Sequence, residues 1–436
     1  MIGGRSKALS EGKHMDSPLP VMRGKYCRRH RLVNSAMRCV DALLAACLPP
    51  RGRGGEIAAP RRLLISNVAH LGDLVVATSI LPVLKSAFPQ CRIGFLIGSW
   101  GRPALQGHPL VDDIHILDHW ASNRAPMTRG QKWRRYWSTR RRALREVRAA
   151  RYNAALDLGW SFPNTLPFLW QARIPARIGY GSGAGGPLAT HCLDFDERPL
   201  HTKERHLALV RALPVQEADL ALAEPTLPPV GAADAAAARQ ELRAAGIAGD
   251  DFIVFHVGSG GSLKVWPPPK WRSLAERWIK DGRRLVFTGH GGKDAALIAE
   301  ITAGLGGCVN LCDRLSWGGF VAVISQARLL VCVDTVAGHI AGAVGTPCAV
   351  IMTGQNPYLW HPLGHGHRVL SHAVPCAPCH RGLGCAGMEC IRDLEVEQVY
   401  RAGHDLLGGG RHNHARPSQA LLPPRGAASP GSGRAE

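Results

Sequence analysis

The chain lacks any apolar run of the roughly 18–20 residues that a membrane-spanning helix needs, so no such helix is expected. Its first stretch, MIGGRSKALSEGKHMDSPLP, has no continuous apolar segment, so no secretory signal is expected either. HExxH and GxSxG are absent, as is a Cys–His protease signature, which sets aside the zinc-protease and hydrolase classes those motifs serve. Thirteen cysteines in 436 residues are too scattered for a disulfide scaffold and suit a reducing cytoplasm better. Acidic residues are scarce, 33 against 53 basic, which gives a net charge of +20. Such a balance usually points to nucleic acid or an anionic membrane surface.

The excess is local. Residues 1–62 carry 13 basic and 4 acidic side chains, residues 119–151 carry 11 and 1, and residues 409–436 carry 4 and 1. The remainder of the chain is close to neutral. Residues 1–25 and 409–436 are rich in Gly, Ser, Pro and Arg without periodicity and read as disordered ends. Residues 28–48 differ: Leu32, Val33, Ala36, Met37, Val40, Leu43, Leu44, Cys47 and Leu48 recur at helical spacing, and Pro49-Pro50 stops the run. A basic amphipathic helix of this kind could lie on an anionic bilayer or dock on the protein's own surface.

From residue 61 the pattern alternates strand and helix. Strands are expected at 63–68, 92–98, 113–118, 153–159 and 176–181, with helices notably at 73–88 and 131–150. Pro82 suggests that the first of these helices is kinked or is two short pieces. The alternation lapses over 182–250, which reads as an interdomain connection, and resumes with strands at 252–258, 283–289, 309–312, 328–334 and 347–354. The expectation is an α/β chain of two doubly wound parallel-sheet domains, with ligands beyond the carboxyl ends of the strands in the cleft between them.

Three strand-to-helix junctions carry chemistry. In NVAHLGDLVVATSILPVLKSAFP, Gly72 permits a sharp turn and Asp73 stands at a helix N-terminus, where free amides favour a carboxylate. Asp73 could cap that helix or, facing the cleft, take a proton from a hydroxyl. In HVGSGGSLKVWPPPKW, Gly258, Ser259, Gly260, Gly261 and Ser262 offer backbone amides to phosphate oxygens, and Lys264 adds a cation; the spacing is neither a Walker loop nor GxGxxG. In LLVCVDTVAGHIAGAVGTP, Asp334 and Thr335 begin a helix whose dipole can face a phosphate, with His339 one turn in. Asp334 as a simple cap and His339 as an interface residue are the alternatives. Asp294, after Gly291 and Gly292, could bind a ribose hydroxyl or cap its helix. A single DxD, Asp194-Phe195-Asp196, follows no strand of either sheet and reads as chance.

In this order these motifs resemble glycosyltransferase family nine, the heptosyltransferase family of bacterial lipopolysaccharide core assembly. The resemblance spans about residues 61–408 and includes VDTVAGHIAGAVGTPCAVIMTGQNPYLWHPLG. It implies a GT-B architecture: an acceptor-binding domain over 61–225 and a nucleotide-sugar-binding domain over 226–408, flanked by the basic extension 1–60 and the tail 409–436. It implies inverting transfer from an ADP-heptose or related donor without a catalytic metal or other cofactor. Asp73 then matches the family's base, Lys264 the lysine at the donor phosphates, and Asp334, Thr335 and His339 the nucleotide element, with Gly258, Ser259, Gly260 and Asp294 beside the donor. The chain departs from the family in having Val336 after the Asp-Thr pair and Gly338 before the His, which bears on donor identity.

Two segments remain. Cys376, Cys379, Cys385 and Cys390, at C-x2-C-x5-C-x4-C with His380 nearby, could form a structural zinc site or be ordinary thiols. Residues 124–152 form mainly a helix on which Trp133, Tyr136, Trp137, Leu144 and Val147 lie near one stripe, with arginines around the rest. Arg134, Arg135 and Arg141, with Gly72, are candidates for an anionic glycolipid acceptor, since guanidinium groups grip carboxylates and phosphates in pairs; a solvated helix face is the alternative. Nucleic acid is not expected as a partner. The reading is a cytoplasmic enzyme at the inner face of the membrane, acting on lipopolysaccharide core or another envelope glycan. The alternatives are a non-catalytic nucleotide-sugar or glycan binder on the same scaffold, or a nucleic-acid-binding protein.

Overall fold

Runs such as Leu63-Leu64-Ile65 and Phe252-Ile253-Val254-Phe255 are apolar at every position, the signature of strands covered on both faces. In the computed structural model, which describes residues 31–47, 55–196, 200–247, 249–261, 264–353, 357–377, 385 and 387–408, they are central strands of two parallel sheets. The first sheet comprises β1 (Arg62–Asn67), β2 (Arg92–Ile97), β3 (Asp113–Ile116), β4 (Ala154–Asp157), β5 (Ala176–Tyr180) and β6 (His191–Leu193). The second comprises β7 (Phe252–His256), β8 (Arg284–Thr288), β9 (Cys308–Asn310), β10 (Leu329–Val333), β11 (Cys348–Ile351) and β12 (His367–Leu370). Their orders, β3-β2-β1-β4-β5-β6 and β12-β11-β10-β7-β8-β9, are the same winding repeated. Each reverses direction beside its first strand, the place where doubly wound sheets open a crevice. β6 and β12 were not expected from the sequence.

Successive side chains feed opposite cores. Leu63 and Ile65 enter one layer of the first domain and Leu64 the other; Ile253 and Phe255 oppose Phe252 and Val254 in the second. The helix expected over 73–88 is two helices, Leu71–Ala77 and Ile80–Ala87. The break falls at Thr78-Ser79, whose hydroxyls bond back to the carbonyls of Val75 and Val76 at 2.7 Å each. Pro82 sits in the first turn of the second helix, where its missing amide costs nothing.

The amphipathic segment forms the helix Arg31–Cys47 and docks on the first domain. Asp41 is buried and accepts a hydrogen bond from the Gly185 amide at 2.7 Å, while Leu44 packs onto the core beneath. The DxD segment packs on the first domain: Phe195 stacks on Trp160 at 5.2 Å, and its ring lies 4.2 Å from the Arg205 guanidinium. The chain ends 1–25 and 409–436, together with Ser262, Cys379 and His380, lie outside the described residues.

Candidate active site

The carboxyl ends of β1, β7 and β10 converge on a cavity of about 850 Å³ between the two domains. Its walls include Gly72 and Asp73 from the first domain, and Ser259, Gly260, Gly261, Lys264, Asp334, Thr335, Val336 and His339 from the second. Three segments far apart in the chain thus share one space.

Asp73 is the third residue of helix Leu71–Ala77, not its cap; that place belongs to His70. Its Oδ2 accepts the His70 amide at 2.9 Å. The helix N-terminus does not settle it as an ordinary carboxylate: burial outweighs the backbone amides and Lys264 and raises its pKa to about 6. At neutral pH Asp73 is still mainly deprotonated, yet basic enough to take a proton. His70 is held near pKa 4 by burial, then by Arg124 and Lys264, so its ring is neutral.

Opposite, Lys264 Nζ meets Asp334 Oδ2 at 2.5 Å, with the carboxylate only 11% exposed. Asp334 is therefore an ion-pair partner. Thr335 is the N-cap of helix Val336–Val344, and its hydroxyl makes no capping bond. His339 is buried, its pKa lowered to about 4 chiefly by burial, and its Nδ1 has no hydrogen-bond partner among the described residues. An added Cβ on Gly72 would stand 2.9 Å from His339 Cδ2. Gly72 thus lies where the two domains touch as well as in the wall of the cavity.

Other expected residues sit further out. Gly258 is buried, and Asp294 lies directly against it; Asp294 Oδ2 accepts the His290 amide at 3.0 Å, and neither lines the cavity. Asp294 therefore braces the loop from behind. Arg135 lines the cavity, fixed by Asp118 at 2.5 Å and the Ser99 hydroxyl at 3.1 Å. Arg134 and Arg141 are exposed on other sides of the helix Arg129–Ala150 and do not line it. Gly338 is buried against Pro362 and Cys332, so a hydroxyl there would face packing, not the cavity; Val336 does line it. Among the described residues no group of three or more His, Cys, Asp or Glu side chains is placed to hold a metal; Cys376 is exposed and Cys390 buried.

The structure adds residues the sequence did not mark. Arg124 reaches from the first domain to the Gly-rich loop: its Nη1 lies where a Gly260 Cβ would be within 2.4 Å. Trp100 lines the cavity with its indole donating to the Ala69 carbonyl at 2.6 Å, and Asn123, His290 and Trp360 complete the rim. Only His70 had a signal in the sequence, its place in the HLGD junction.

The sequence model of glycosyltransferase family 9 (heptosyltransferase) matches residues 140–385. The chain belongs to this family. It is accordingly a glycosyltransferase. Among curated relatives it is 26% identical to lipopolysaccharide heptosyltransferase 1 of Pseudomonas aeruginosa, over 73% of this chain and 86% of that protein. It is 27% identical to lipopolysaccharide heptosyltransferase 2 of Salmonella typhimurium, over 79% of this chain and 98% of that one. In fold it is similar to a family 9 glycosyltransferase from Veillonella parvula (TM-score 0.69, 18% identity, 82% of this chain and 100% of that chain). It is also similar to the ADP-heptose lipopolysaccharide heptosyltransferase II of E. coli (TM-score 0.62, 22% identity, 80% of this chain and 99% of that chain). These likenesses establish a two-domain GT-B fold.

Proposed function

We propose that this glycosyltransferase moves a heptose, or a closely related sugar, from an ADP-linked donor to an anionic lipopolysaccharide-core or comparable envelope acceptor. The observation that carries this reading is the meeting of Asp73 with the Lys264–Asp334 pair across one interdomain cavity. The domain over 61–225 takes the acceptor and the domain over 226–408 takes the donor. The relatives named for lipopolysaccharide heptosyl transfer support both the sugar and the acceptor. A lipid-linked acceptor places the enzyme at the inner face of the cytoplasmic membrane.

The reaction is a direct displacement with inversion and no metal ion. Asp73 takes the proton of the acceptor hydroxyl as that oxygen bonds to the anomeric carbon. The bond from that carbon to the diphosphate oxygen breaks, and ADP leaves with the electron pair. Lys264, the amides of the 259–261 loop and the amino end of helix Val336–Val344 meet the charge that builds on the diphosphate. Arg124 and Arg135, opposite or beside that loop, suit an anionic acceptor. His339, neutral and with an Nδ1 that has no partner among the described residues, is held for the nucleotide. Calorimetry with ADP, UDP and GDP tests the donor class: binding of ADP in preference to the others is expected, and no nucleotide binding would favour a non-catalytic scaffold.

A further inference from the structure

The helix Arg31–Cys47 docks with a mixed polar and apolar side inward. Asp41 is buried, and Asn34, Met37 and Leu44 share that side, being partly covered. Leu32, Ala36, Val40, Leu43 and Cys47 form a stripe on the other side, all exposed, with Leu32 at 85% and Leu43 at 65%. A soluble helix ordinarily buries such a stripe. Here the Asp41 carboxylate bonded to Gly185 and Leu44 on the core hold the inward side and leave that stripe outside.

A second apolar group lies over the same face of the first sheet. The helix Arg129–Ala150 packs Ala143 and Val147 into the core that receives Leu44, and leaves Trp133 43% and Trp137 45% exposed. These indoles continue a stacked series with Trp120, at 5.1 Å from Trp133, and half-exposed Phe162. Of the nine exposed large apolar side chains among the described residues, seven belong to these two helices and this aromatic cluster. Exposed arginines flank them: Arg134, Arg141, Arg142 and Arg145 on one helix and Arg38 on the other. Arg148, Trp170 and Arg173 line a further cavity of about 840 Å³ on the first domain.

Apolar stripe, half-exposed indoles and guanidinium groups on one face match the layers of an anionic leaflet: acyl boundary, interface and headgroup charge. We propose that this face is the protein's bilayer-docking surface, with helix Arg31–Cys47 lying in the plane of the membrane, its Leu32–Leu43 stripe toward the acyl chains, and Trp133 and Trp137 as interfacial anchors. The helix lies before residues 140–385, the part that the family model matches. The inference rests on the reading above only in expecting a lipid-linked acceptor. Docking by this face holds the cavity at the leaflet that carries that acceptor.

Flotation of the full-length protein with phosphatidylglycerol–phosphatidylethanolamine vesicles tests this, with phosphatidylcholine vesicles for comparison. The wild type is expected to float with the anionic vesicles, less in high salt and less with phosphatidylcholine. Leu32→Glu/Leu43→Glu should lower partitioning by about a hundredfold, roughly tenfold for each leucine no longer buried. Both leucines are exposed, so circular dichroism and ADP affinity should be unchanged. Trp133→Ser/Trp137→Ser should give a smaller loss of flotation. The proposal is overturned if the wild type does not float, or if the leucine variant floats equally well. It is also overturned if the wild type is a dimer without affinity for vesicles that the leucine variant turns into a monomer, since a second copy would then cover the face. Failure of ADP to bind the wild type would count against the donor assignment and leave the docking result standing.

Discussion

Asp73→Asn should make the protein more stable at neutral pH. Burial raises the Asp73 pKa from 3.8 to about 6, so the folded state holds the carboxylate less readily than the unfolded chain does. The penalty is full above pH 6, shrinks as pH falls toward 3.8, and is gone below it. Two units correspond to about 3 kcal/mol at pH 8, falling to about half that at pH 5. Asparagine is neutral throughout, and its carbonyl oxygen can still accept the His70 amide, so the local turn survives. Lys264 keeps its partner Asp334. For domains of this size the gain corresponds to a rise in Tm of roughly 5–10 °C. Denaturant unfolding of wild type and variant at pH 8 and pH 5 reads it directly. A variant less stable than wild type at pH 8, or a gain equal at both pH values, would refute the claim that burial sets this carboxylate's protonation.

Two further outcomes follow from the same geometry. The kcat/KM of the wild type should fall below pH 6, about tenfold per pH unit, because only deprotonated Asp73 accepts the acceptor's proton; a profile flat down to pH 5 would exclude it as the base. Lys264→Ala should weaken ADP binding about 10–100-fold by calorimetry, since a charged hydrogen bond is lost and Asp334 is left unpaired beside the phosphates. Adding Asp334→Asn to that variant should recover part of the affinity by removing the repulsion.

Much of the fold was legible because the central strands are apolar at every position. β6 and β12 were not: they are three- and four-residue edge strands with partly exposed side chains, which read like loops. The helix break was placed near Pro82, but two hydroxyls and not the ring set it. The site's strand-end residues were legible from Gly-Asp, Gly-Ser-Gly and Asp-Thr junctions. Arg124 and Trp100 were hidden because they come from junctions without a phosphate-like pattern and reach the cavity only through folding. Arg134, Arg135 and Arg141 were indistinguishable as members of a basic run. Each helical residue turns the direction by about 100°, so only Arg135 faces Asp118 and the cleft. Asp294 had the sequence of a ligand-binding turn; its Oδ2 accepts the amide of His290 in its own loop, and it does not line the cavity.

Acceptor-dependent release of ADP from ADP-heptose by wild type and Asp73→Asn, with ADP affinity measured on the same preparations, tests the central claim most directly. The wild type should release ADP and extend the acceptor by one sugar, and Asp73→Asn should bind ADP as tightly with transfer lowered at least about a hundredfold. Near-normal turnover by Asp73→Asn would contradict the account.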